Sequence, residues 1–171
     1  VGDSVAILED YAALATGLLT VHQLTGEGHW LDSAVALVDT ARAHFADADR
    51  PGRWFDSADD AEQLMVRPAD PVDGATPSGA SSVAEALLTI GHLVGSDTYR
   101  TAAAETLLAH TVVLARAARS AGHWLAVAEA AVRGPLQIAV ACDPASSELL
   151  AAARRLATPV PAARQRIGRV P

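Results

Sequence analysis

A single cysteine, Cys142, two phenylalanines and two tyrosines are a thin supply of thiol and aromatic chemistry for 171 residues. One thiol excludes an intramolecular disulfide, a thiolate zinc site and a CxxC redox motif, and makes a reducing, cytoplasmic setting the expectation. The arginines are scattered and the formal net charge is −7, so the basic stripe that phosphate contacts require is missing and nucleic acid is not an expected partner. No apolar run approaches the ~20 residues that span a bilayer, and no basic segment or cleavage signal opens the chain, which leaves a soluble protein without a membrane partner as the expectation. Gly-rich phosphate loops, GxSxG elbows and kinase motifs are also missing. The six histidines show neither HxxxH nor HExxH spacing, so no helical metal site and no cofactor are expected. His123-Trp124 could reach a cavity, although a partly buried structural role is the plainer reading.

What the sequence has in quantity is apolar surface at helical spacing: half of its residues are hydrophobic, chiefly Ala and Leu. Leu8, Tyr11, Ala12, Ala15, Leu18, Leu19 and His22 follow the 3.6-residue period and stop at Thr25-Gly26, which predicts a helix over about 5–24. Leu31, Ala34, Val35, Val38, Ala41 and Phe45 repeat the pattern and predict a helix over about 29–47, ended by Pro51-Gly52. The period fails between Asp47 and Pro77. There Arg53-Trp54-Phe55 and Leu64-Met65-Val66 read as two short strands of a β-hairpin within 53–66. Helices are expected again over 78–94, with Ser82 and Glu85 as a capping box, over 97–118, with Asp97 as N-cap, and over about 121–133. After Gly134-Pro135, Leu136 to Cys142 reads as a strand without an obvious partner and Ser146 to Ala157 as a helix. The tail from Thr158 to Pro171 reads as irregular.

A shift of 69 residues lays Leu24-Thr25-Gly26-Glu27-Gly28-His29-Trp30 over Leu93-Val94-Gly95-Ser96-Asp97-Thr98-Tyr99. Each unit is a helix, a turn containing Gly, an aromatic residue and a second helix. Such units cannot bury their faces alone and stack into solenoids or closed toroids. The expected fold is therefore mainly α: hairpins over 1–134 forming part of an (α/α) toroid, a small β-hairpin in a loop, a strand-helix element over 135–157 and an irregular tail over 158–171. Val1 stands in mid-pattern just before an amphipathic helix, so the sequence reads as a section of something longer.

The stretch from Arg67 to Gly79 is the least core-like and the most restricted in residue type. Asp70 and Asp73 supply carboxylates, Gly74 lets the backbone bend, and Ser78 opens a helix whose free N–H groups suit an anionic or hydroxyl-rich ligand. The alternative is a capped helix start with a proline-stiffened lead-in. Under the 69-residue shift Asp10 falls on Gly79, which places two equivalent helix ends at one mouth. Acid/base chemistry on a sugar needs two carboxyl groups roughly 5–10 Å apart, so Asp10 and Asp73 form the candidate catalytic pair. For Asp10 the alternative is electrostatic support of a helix N-terminus. Trp54 and Phe55 are candidates for an apolar platform under a sugar face, or they cap the core.

Leu8-Glu9-Asp10-Tyr11-Ala12, Trp54-Phe55-Asp56, the block from Arg67-Pro68 through Asp73-Gly74-Ala75-Thr76-Pro77-Ser78-Gly79, and Gly95-Ser96-Asp97-Thr98-Tyr99-Arg100 together resemble the C-terminal part of the YyaL-like, spermatogenesis-associated thioredoxin-domain family. The resemblance covers about residues 5–157, with the DGATPSG block as its most specific element. It implies an (α/α)6 toroid of the six-hairpin glycosidase and N-acylglucosamine 2-epimerase kind. In that toroid 5–24 and 78–94 would be inner helices, with Asp10, Tyr11, Asp73 and Ser78 near the mouth. With Trp54, Phe55, Arg67 and Gly74 they make up the candidate set for binding a carbohydrate or polyol. The family's thioredoxin-like domain and its cysteines have no counterpart here, so redox work would need a second chain. The competing expectation is a non-catalytic helical-hairpin interaction module, whose apolar face self-associates or docks against the remainder of a longer polypeptide.

Overall fold

The fold is seen in a computed structural model, which describes residues 6–62, 65–135, 137–139, 148–149, 151–152 and 164–166. Leu8, Ala12, Ala15 and Leu19 recur at helical spacing and are all buried on α1 (Leu8–Thr25); Ala34, Val38 and Ala41 do the same on α2 (Gly28–His44). Because these stripes are largely alanine, the two helices pack closely as a hairpin. Helix α3 (Gly79–Val94) is buried along almost its whole length, including Val83, Leu87 and Ile90. A helix apolar on all sides belongs in the middle of an array, and α3 does pack against α1, α4 (Asp97–Ala109) and α6 (Gly122–Arg133). The 69-residue repeat has a backbone counterpart: Gly26 and Gly95 close α1 and α3 in the same left-handed conformation, with φ 77° and 72°, and donate to His22 O and Gly91 O.

Several boundaries differ from expectation for local physical reasons. The helix expected over 97–118 stops at Ala109 and resumes as α5 (Thr111–Arg116), followed by a 3₁₀ turn, Ala118–Ser120. At the break His110 leaves helical geometry (φ −111°, ψ 15°); its Nδ1 bonds Thr106 O at 2.8 Å and its ring stacks on Trp124 at 4.5 Å. Ser78, not Ser82, caps α3 by accepting the Ser81 N–H. Ser96 occupies the cap position of α4, with Asp97 in the first turn, where its charge still favours the helix.

The β-hairpin expected within 53–66 is not formed among the described residues, which exclude Leu64. Trp54 instead makes an isolated antiparallel bridge with Ala46 at the end of α2. Burial of its ring and a bond from its Nε1 to Thr106 Oγ1 (3.1 Å) hold it there. The strand expected over 136–142 is seen as β1 (Gln137–Ala139), and its parallel partner is β2 (Arg164–Arg166), inside the stretch expected to be irregular. Leu136 and 140–147, with Cys142 among them, lie outside the described residues; of the helix expected over 146–157, residues 148–149 and 151–152 are described and helical. No helix among the described residues is long and apolar enough to cross a membrane.

Gly79 lets the starts of α1 and α3 meet: a Cβ on it would stand 3.0 Å from Glu9 N and 3.0 Å from Leu8 Cγ. Leu8 is fully buried and has no room to retreat. Gly79→Ala is therefore expected to destabilise by about 1–2 kcal/mol, the overpacking cost exceeding the helix-propensity gain, and Gly79→Val by more. Urea unfolding with an unchanged m-value would show it.

Candidate functional site at the helix N-termini

Helix α6 begins without an acceptor of its own, because Ala121 occupies its cap position. Asp73 supplies one from 50 residues away: its Oδ2 accepts the His123 N–H at 2.9 Å and the Trp124 N–H at 3.3 Å. Its Oδ1 accepts the Ser78 N–H at 3.0 Å and the Ser81 hydroxyl at 2.8 Å at the start of α3. One carboxylate thus satisfies orphan donors of two helices. Trp124 Nε1 donating to Pro71 O (2.7 Å) and the Asp73 N–H donating to Ser120 O stitch the same loop to α6. Burial alone would push the Asp73 carboxyl up, but the donors from Ser78, Ser81, Trp124 and His123 outweigh it and hold it below the usual carboxylate range. With α1 and α3 also meeting at Gly79, the starts of α1, α3 and α6 lie on one side of the molecule.

Two cavities open there, on either side of the Asp70 segment. An open cleft of about 290 Å³ is lined by Glu9, Asp56, Asp70, Gly74, Thr76 and Ser78, among others. A more enclosed cavity of about 210 Å³ lies between Arg53, Trp54 and Phe55, the Ala69–Pro71 segment and His110. In the cleft, Asp56 Oδ2 accepts the Asp70 N–H and Asp70 Oδ1 accepts the Val72 N–H. The Glu9 carboxylate has no side-chain partner among the described residues.

The expected site residues divide between these places. Gly74 and Ser78 line the cleft, while Trp54 and Phe55 line the second cavity. Asp10 and Asp73 line neither. Asp10, the third residue of α1, is exposed and turns its Oδ2 back to the Ile7 N–H (3.0 Å), half of a capping box. Asp73 is the helix clamp just described, ionised and engaged on both oxygens, whereas a general acid needs a carboxyl raised in pKa. Tyr11 packs on the Phe45 ring, 5.3 Å between centroids. Arg67 is a brace: its guanidinium lies over Phe55 at 4.1 Å and donates to His44 O and Ser57 O.

Arg53 and His110 were not singled out by the sequence, and Glu9 and Asp56, though next to candidate residues, were not themselves among the expected site residues. For Glu9 a signal was present: an acid at the third position of a helix can bond back to the cap N–H, which commits Asp10 and not Glu9. Two further groups carry perturbed charge. His123 Nε2 lies 3.1 Å from Glu85 Oε2; that carboxylate raises the imidazole's pKa against the opposing effect of burial, and Asp73 adds to the rise. His44, Asp59 and Asp60 bring potential ligand atoms within 4.8 Å of one another, a grouping that the sequence spacing does not show. The bond from His44 Nδ1 to Asp59 Oδ1 (2.8 Å) raises the His44 pKa and ties that loop to the end of α2.

No family model matches the chain. Over 88 residues, 52% of this chain, it is 36% identical to spermatogenesis-associated protein 20 from Homo sapiens and likewise to that from Rattus norvegicus. The matched stretch spans 11% of the length of those relatives. The likeness is consistent with the family that the motifs resemble.

Two titrations check the electrostatics. Asp73→Asn places an amide N–H₂ among N–H donors and is expected to cost about 2–3 kcal/mol at neutral pH. Because the folded pKa of Asp73 is depressed, its stabilisation is present above the ordinary carboxylate pKa and lost as pH falls through the depressed value; urea unfolding of the variant should lose that part of the acid dependence. His123 runs the other way. Its raised pKa contributes stability that is present below the ordinary imidazole value and lost as pH rises through the folded value, and NMR titration of Glu85→Gln should show the His123 pKa falling.

Proposed function

We propose that this chain is a section of an (α/α) toroid whose cleft, at the shared N-terminal ends of α1 and α3, binds a hydroxyl-rich ligand of the carbohydrate or polyol class. The observation that carries the reading is the convergence of the Glu9, Asp56 and Asp70 carboxylates, with Thr76 and Ser78, on one open cleft. Carboxylate oxygens accept from sugar hydroxyls, and charge-assisted bonds of that kind are the stronger ones. Glu9 is free to make them. Asp10 and Asp73 serve the same cleft indirectly, by holding the helix ends that frame it. The toroid reading is supported by the layout, in which α1 and α3 lie side by side with α2 and α4 as their hairpin partners, and by the likeness to spermatogenesis-associated protein 20.

A second reading, a helical-hairpin interaction module without catalysis, is favoured by the apolar surface of the last helices. Leu108, Val112 and Val132 are 70%, 63% and 90% exposed, and another hairpin or another chain seated there would cover them.

The two readings separate in one titration with D-glucose, N-acetyl-D-glucosamine and D-mannitol, followed by amide NMR shifts. The first expects saturable shifts at Glu9, Gly74 and Gly79, and binding about tenfold weaker in Glu9→Gln, Asp56→Asn with unchanged helicity. Absence of saturable shifts, together with a mass in light scattering that falls to that of the monomer when Leu108 and Val132 are made Glu, would sink the first and support the second.

A further inference from the structure

The second cavity contains polar groups that its neighbours do not satisfy, and their identities are complementary in an informative way. Two arginines line it. Arg50 is committed to Asp47 through a bond from Nε to Oδ2 of 2.7 Å, whereas the Arg53 guanidinium has no partner among the described residues. His110 is buried, and its Nδ1 bonds Thr106 O, a carbonyl that only accepts. The proton therefore sits on Nδ1, and Nε2 of the neutral ring is an acceptor. Burial first, and the Arg53 charge as well, push the His110 pKa below its usual value against the Thr106 bond, which keeps the ring neutral near pH 7. Nε2 has no partner among the described residues. Asp70 spends Oδ1 on the Val72 N–H, and its Oδ2 is likewise unpaired. Asp47 also lines the cavity, with its carboxylate engaged by the Asp49 N–H and by Arg50; the remaining walls are apolar, from Trp54, Phe55, Ala69, Pro71 and Ala80.

A ligand that satisfies this set must present an anion to Arg53 and hydroxyl donors to His110 Nε2 and Asp70 Oδ2, on a short carbon skeleton. A neutral polyol leaves the guanidinium without its anion. Inorganic phosphate brings the anion, but it carries more negative charge than a carboxylate beside Asp47 and Asp70, holds its hydroxyl donors on the charged centre itself, and has no carbon skeleton to set against the apolar walls. We infer that the cavity bounded by Arg53, Trp54, Asp70 and His110 binds a small polyhydroxy carboxylate, with the carboxylate on Arg53 and hydroxyl groups on His110 and Asp70. The inference is independent of the cleft reading, since Asp70 is the only polar side chain that lines both spaces and Arg53 and His110 face the second alone.

The indole N–H of Trp54, which donates to Thr106 Oγ1 beside the cavity, reports on occupancy by NMR. D-Glycerate is expected to move this resonance saturably while the Trp30 indole and the cleft amides of Gly74 and Gly79 stay still. Glycerol, the same skeleton without the carboxylate, is expected to leave it unmoved. Arg53→Gln should weaken glycerate binding about tenfold or more. Arg116→Gln, the same loss of charge on exposed α5, should not, and circular dichroism checks that both variants remain folded. No saturable shift with glycerate, equal binding of glycerol or of inorganic phosphate, or unchanged affinity in Arg53→Gln would each overturn the inference.

Discussion

One carboxylate decides where two helices begin. Helix N-termini carry orphan N–H groups that must be met, and α6, starting at a buried alanine, has no local means to meet them. Asp73 meets them from a loop that it shares with the start of α3. The bond makes the two helix starts neighbours, and the close approach that Gly79 permits brings α1 to the same place. Among the described residues, three features lie around that junction: the Glu9 and Asp56 cleft, the Arg53 and His110 cavity, and the His123–Glu85 contact.

The elements that the sequence revealed are those whose information is local. The apolar stripes of α1 and α2 and the Gly26 and Gly95 caps follow from spacing and from glycine's tolerance of positive φ, so they stand where the periodicity put them. The cap shifts to Ser78 and Ser96 are local, whereas the larger departures rest on partners far along the chain. The apolar run Thr111-Val112-Val113-Leu114 continues the helical pattern, and nothing local announces that His110 will break it by stacking on Trp124. Trp54 has strand character, but its neighbour is Ala46 and its hydrogen-bond partner is Thr106. The partner of β1 lies within a stretch whose prolines and arginines read as structureless.

The site shows the same division. Residue type and loop context drew attention to Gly74, Ser78, Trp54 and Phe55, and the structure places the first two on a cleft and the last two on a cavity. The bonding of the carboxylates was not legible in the same way. Asp10 and Glu9 are adjacent and chemically alike, yet the helix start turns one toward its own backbone and leaves the other free. Asp73 has the loop position of a reactive acid and the bonding of a structural one, a distinction that exists only once α6 is in place. Around this junction Asp10 and Asp73 are therefore spent on helix N–H groups, while Glu9 keeps a carboxylate without a side-chain partner among the described residues.

The central claim, that Asp73 couples the starts of α3 and α6, is tested most directly by native-state hydrogen exchange of the Ser78, His123 and Trp124 amides in wild type and Asp73→Ala. The account predicts that all three lose protection together in the variant, while amides in the middle of α2 keep theirs apart from the change in global stability. Loss confined to Ser78, with His123 and Trp124 still protected, would contradict it: α6 would then be positioned by its packing alone, and the two helix starts would be neighbours without a common cause.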